Sequence, residues 1–165
     1  MRATSALRGI LSASGVNDVT YVNAPSLAQE RGLTAAVTTT GDSPAHRNMV
    51  HLSGALSNGE RVSVAGTLMG IKRVEKIVEI DDLDVDVAFS DHLLFLRYTD
   101  RPGVVGAVGN ALGALGINIA GMQVARNQRG GEALMVLTVD SAIPADVLAK
   151  VAKETSATAR FVTLV

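Results

Sequence analysis

From His92 onward the hydrophobic pattern alternates between two periods in a fixed order, and that order constrains the fold more than any other feature of the chain. Leu93 to Tyr98 reads as an apolar strand, Gly103 to Leu115 as a helix, Ile117 to Arg126 as a strand and Asn127 to Gly131 as a turn. Ala133 to Val139 then reads as a strand, Pro144 to Ser156 as a helix and Arg160 to Val165 as a strand. This βαββαβ order predicts a four-stranded antiparallel sheet with both helices on one face and the second and fourth strands at its edges. In the first of these helices Val104, Val108, Leu112 and Leu115 form the apolar stripe, and Gly106, Gly109 and Gly113 recur beside it. A helical glycine costs up to about 1 kcal/mol relative to alanine, so three together imply a close approach, either by the chain's own sheet or by another subunit.

The turn Tyr98-Thr99-Asp100-Arg101-Pro102-Gly103 closes the first strand and opens that helix. Pro102 suits a first helical turn, and Gly103 lets the backbone pass close to whatever lies in front of it. A helix start favours a small carboxylate, and Asp100 beside it suits an ammonium group. One site with both polarities fits a free amino acid. Read alone, Asp before Pro-Gly is also ordinary turn chemistry.

The first half is an α+β pattern with weaker signals. Ala6 to Ser12 reads as a short helix, Val19 to Val22 as a strand, Ser26 to Arg31 as a helix capped by Ser26, and Leu33 to Thr40 as a strand. Gly41-Asp42-Ser43-Pro44 breaks the pattern. Met49 to Leu56 and Val62 to Leu68 then form a predicted hairpin about Asn58-Gly59, and Lys76 to Ile80 a further strand after Lys72 and Arg73. Between the halves, residues 81–91 hold five aspartates and no base. Asp82, Asp84 and Asp86 alternate with Leu83, Val85 and Val87, so the three acids share one face of an extended segment. The calcium-loop positions that require glycine and a final carboxylate hold Val87 and Leu93, so the stretch reads as a solvated connector. The resulting organisation is α+β throughout: residues 1–80, a connector over 81–91, and the βαββαβ domain over 92–165.

Composition excludes several classes. A net charge of −1 leaves no electrostatic footprint for nucleic acid or anionic membrane, and 3% aromatic residues leave few stacking platforms. The chain has no cysteine, which removes disulfides and thiolate chemistry. His46, His51 and His92 are too scattered for a metal pair, and no serine, histidine and acid set or dinucleotide glycine loop can be assembled. No apolar run approaches a membrane span, so a cytoplasmic chain without catalytic or metal residues is the expectation.

The segments Tyr98 to Gly106, Gly116 to Met122 and Ala133 to Asp140 together resemble an ACT domain, more narrowly that of the long-form D-3-phosphoglycerate dehydrogenase family. Val22-Asn23-Ala24-Pro25, Ala28 to Gly32 and Val64 to Leu68 are similar to that family's intervening, or allosteric substrate-binding, domain. The resemblance implies two ACT domains paired side by side, with L-serine or a similar small amino acid bound at the seam. It implies Asp100 as a ligand contact, the backbone of Arg101, Pro102, Gly103 and Val104 as the carboxylate cradle, Asn118 as a contact from the paired subunit, and Tyr98 as a neighbour. It also implies an anionic effector near Lys72, Arg73 and Lys76 in some relatives, and an intervening domain lacking the family's opening helix and strand.

On this resemblance the chain is a non-catalytic regulatory region that binds no cofactor itself. It would serve feedback control of serine synthesis beside catalytic domains that bind NAD. The alternatives are a regulatory part of an L-serine dehydratase and a ligand-free dimerisation module.

Overall fold

The computed structural model describes residues 2–41 and 48–164, so the proposed break at Asp42 to Pro44 and His46 lie outside the described residues. The chain packs as two compact units, one from residues before this segment and one from those after it.

The first unit pairs α1 (Arg2–Ala13) with α2 (Ala24–Glu30). Leu7 and Leu11 of α1 bury against Ala24 and Ala28 of α2, whereas Ile10 is exposed. Neither predicted strand of this region forms. Val19 to Val22 is a turn because Asn23 ties it locally: its Oδ1 accepts the Thr20 N–H at 2.7 Å, and its Nδ2 donates to the Asp18 carbonyl at 2.9 Å. Such side-chain bonds offer the backbone an alternative to a ladder. Asn23, not Ser26, is the N-cap position of α2, with Pro25 inside the first turn. Residues 33–40 form no strand among the described residues, because β-propensity alone does not make a sheet.

The second unit begins with a meander of four antiparallel strands in the order β1 (Val50–Ala55), β2 (Arg61–Met69), β3 (Val74–Ile80) and β4 (Leu83–Ala88). The β1–β2 loop forms as expected, with Gly59 at φ +84° and Asn58 Oδ1 accepting the Glu60 N–H at 2.9 Å. The acidic stretch read as a connector instead supplies β4. Asp81 and Asp82, both at positive φ, make the two-residue turn that sets Ile80 opposite Leu83. Asp84 and Asp86 face solvent while Val85 and Val87 are buried. The alternation thus serves a half-buried strand.

The remaining elements are β5 (His92–Thr99), α3 (Val104–Gly113), β6 (Ile119–Arg126), β7 (Glu132–Val139), α4 (Ala145–Thr155) and β8 (Thr158–Thr163). Their sheet has the order β6-β7-β5-β8, so the second and fourth strands of the motif lie at the edges. Leu94, Leu96, Met135 and Leu137 bury one face of this sheet against Val108 and Leu112 of α3 and Val151 of α4. The other face is covered too. Leu93, Leu134 and Val136 pack on Ile77, Val85 and Val87 of the first sheet. Gln123 Oε1 of β6 accepts the Asp86 N–H of β4 at 2.7 Å, which satisfies a donor on an edge strand. The fold is a mixed α+β architecture with two four-stranded antiparallel sheets in this unit.

Candidate functional site

The strand-to-helix turn after β5 is built by three local constraints. Gly103 occupies the N-cap position of α3 at φ +92°, in the left-handed region where a side chain is strained. Val104 follows as a buried core residue that anchors the helix start. No side chain caps α3, so its first-turn N–H groups are open to a ligand or water. Arg101 contributes only backbone here, because its Nη2 donates to the Thr155 carbonyl at 3.0 Å, at the end of α4.

Asp100 stands at the mouth of this turn. Its N–H donates to the Gly131 carbonyl at 2.8 Å, and its Oδ2 accepts from Arg126 Nη1 at 2.6 Å and from the Gly130 N–H at 3.2 Å. The Arg126 hydrogen bond, then that from Gly130, hold the Asp100 carboxyl below its ordinary range, so it is ionised at neutral pH. No bond to Oδ1 is present among the described residues. Tyr98 lies in the core under α3, where burial first and the Asp100 charge second raise its phenol, with Arg126 opposing.

Asn118 is elsewhere. Its Nδ2 donates to Asp140 Oδ2 at 2.7 Å, and its carbonyl accepts the Asp140 N–H at 3.1 Å. Thr99 pairs with Glu132 at one end of β7, and Ile119 with Val139 at the other. Seven residues of strand separate these ends by about 24 Å. Asp100 and Asn118 of one chain therefore cannot share a small ligand.

The structure places Tyr98, Asp100 and the 101–104 backbone at one end of the sheet and Asn118 at the far end. Lys72 and Arg73 lie on the exposed β2–β3 turn, and Lys76 of β3 is paired with Asp86 at 2.5 Å. Arg126, the principal partner of Asp100, was read only as the end of a strand. The βαββαβ order could have revealed it, because that topology brings the ends of its first two strands to the same end of the sheet.

A sheet of this topology, with two helices on one face and an open strand-to-helix turn at its end, is the architecture of an ACT domain, and residues 92–155 match the ACT domain family model. Residues 2–81 match the model of the D-3-phosphoglycerate dehydrogenase intervening domain. With both in one chain, this protein belongs to the D-3-phosphoglycerate dehydrogenase family, as its C-terminal regulatory region.

Over 153 residues the chain is 40% identical to D-3-phosphoglycerate dehydrogenase of Mycobacterium leprae, covering 93% of this chain and 29% of that protein. It is 40% identical over 148 residues to that of Mycobacterium tuberculosis strain H37Rv, covering 90% and 28%. The enzyme of Methanocaldococcus jannaschii is 34% identical over 145 residues, covering 88% and 27%. The chain thus spans less than a third of the length of these curated relatives. Among the described residues no helix is long and apolar enough to cross a membrane.

Proposed function

We propose that this chain senses L-serine, or a similarly small amino acid, at a seam between two copies of itself. The sensing would confer feedback on D-3-phosphoglycerate dehydrogenase activity residing in NAD-binding catalytic domains of a longer cytoplasmic protein. The observation that carries the reading is the Asp100 carboxylate, kept ionised at an uncapped helix start with Oδ1 open. Asp100 takes the ammonium, and the backbone from Arg101 to Val104 faces the carboxylate.

Strand geometry supports such a seam. β6 pairs with β7 on one side and with no strand on the other among the described residues. Met122 and Val124 of β6 and Val105 of α3 are partly exposed, which gives this edge an apolar band. Two β6 edges paired antiparallel about a two-fold axis set the Asn118 end of one copy opposite the Arg126 end of the other. Asn118 of the second copy then reaches the ligand held by Asp100. Serine inhibits by favouring one arrangement of copies, and a tenfold bias requires about 1.4 kcal/mol of differential affinity.

The match of residues 2–81 to the intervening domain favours this setting over an L-serine dehydratase. Calorimetric titration of the purified chain with L-serine, glycine and L-valine, with subunit mass measured in the same buffer, tests the reading. Saturable serine binding by a dimer is expected. A folded dimer that binds none of the three amino acids leaves a ligand-free dimerisation module.

A further inference from the structure

We infer that Arg126 is a ligand-binding residue of the Asp100 site, its guanidinium taking the carboxylate of the bound amino acid while Asp100 takes the ammonium. The inference rests on reading this turn as an amino-acid site, and it adds a charged side chain to the neutral donors that the turn backbone offers the same carboxylate.

The geometry is that of a half-used ion pair. A guanidinium has five N–H donors in a planar fork. Only Nη1 of Arg126 is engaged among the described residues, on Asp100 Oδ2, and about half of the side chain is exposed, at 52%. On the carboxylate, Oδ2 accepts both available protein donors and Oδ1 none. The pair therefore offers an unoccupied anionic oxygen beside unoccupied cationic donors.

An α-amino acid carries its ammonium and carboxylate on a single carbon. Laid head to tail along this pair, it puts the ammonium on Oδ1 and the carboxylate on the guanidinium, completing a square of alternating charges. A simple amine or a hydroxy acid satisfies only one half, so the pair selects for the zwitterion. The Gly130 N–H and the Asp100 backbone bond to Gly131 hold the carboxylate in place without Arg126, so the guanidinium can tilt toward a ligand without releasing its partner.

The test uses the full chain in two arms. L-Serine is titrated into wild type and Arg126→Gln, and the side-chain N–H spectrum of 15N-labelled wild type is followed during the same titration, with the Arg126 Nε–H signal assigned by its absence in Arg126→Lys. At least a tenfold loss of serine affinity in Arg126→Gln is expected, together with a shift of the Arg126 Nε–H signal at saturation. Unchanged or tighter serine binding by Arg126→Gln overturns the inference. So does a loss of affinity while the wild-type signal stays still, which makes Arg126 only a positioning residue for Asp100. Should Arg126→Gln not fold, the wild-type spectrum decides alone. Absence of saturable serine or glycine binding by wild type removes the amino-acid site itself, and this inference with it.

Discussion

Arg97 of β5 and Asp81 of the β3–β4 turn form an ion pair that ties the two sheets together. The same guanidinium donates Nη1 to Glu132 Oε1 at 2.8 Å, and Asp81 Oδ1 accepts the Ser63 N–H at 2.5 Å. Both ionic side chains at the junction are about one-third exposed or less, so the pair is only partly screened. Arg97→Met should lower stability by about 1 kcal/mol, read as a shift of the urea midpoint at unchanged slope. A midpoint identical to wild type would show that the junction rests on its apolar contacts alone.

Asp100 gives the site a predictable pH dependence. Its folded carboxyl lies below the ordinary range, so its contribution to stability is complete above about pH 4, the unfolded value, and is lost as pH falls through the folded one. Removing the Arg126 bond should raise the folded value toward the ordinary range. A carboxyl carbon titration by NMR should show the Asp100 inflection at higher pH in Arg126→Gln than in wild type. Asp100→Ala should reduce serine binding below detection in the calorimeter at neutral pH.

Gly106 separates the stability of α3 from the assembly of copies. It is exposed, and a Cβ built there meets nothing within 4 Å. Gly106→Ala should therefore stabilise the isolated chain by about 0.5–1 kcal/mol, measured by denaturation at protein concentrations too low for association. If α3 meets a second copy at the seam, the same substitution should weaken the dimer in sedimentation. A gain in stability without any change in association would place the seam away from α3.

Gly121 behaves in the opposite way. A Cβ there lies 2.9 Å from Thr138 Oγ1, across the irregular pairing of β6 with β7. Gly121→Ala should cost about 1–2 kcal/mol by overpacking, and Thr138→Ala in the same chain should recover most of it. Urea denaturation of the two single variants and the double variant provides the cycle.

The legible parts of this chain were those in which pattern and partner lie close together. From β5 to α4 the expected and observed elements agree within two residues at every boundary, because each apolar stripe is long and faces a neighbour supplied by the same motif. Val19 to Val22 and Leu33 to Thr40 carry strand-forming residues that no strand partner takes up among the described residues, the first being tied into a turn by Asn23. The alternation in Leu83 to Ala88 was visible, yet the five aspartates of residues 81–91 drew the stretch toward solvent; the covering surface comes from Leu134 and Val136, some fifty residues on. At the site, Asp100 was readable from its turn, whereas Arg126 acquires meaning only once the sheet order brings it alongside.

The first sheet also limits what can be done with the ACT half as a portable cassette. A gene fragment cut at residue 91 and fused to another enzyme would carry the Asp100 turn and both helices intact, but would bare Leu93, Leu134 and Val136 to water. Transplanting the ACT half therefore means carrying β1 to β4 with it, or recoding those three positions for solvent. The portable piece is the pair of packed sheets, not the strand-to-helix turn alone.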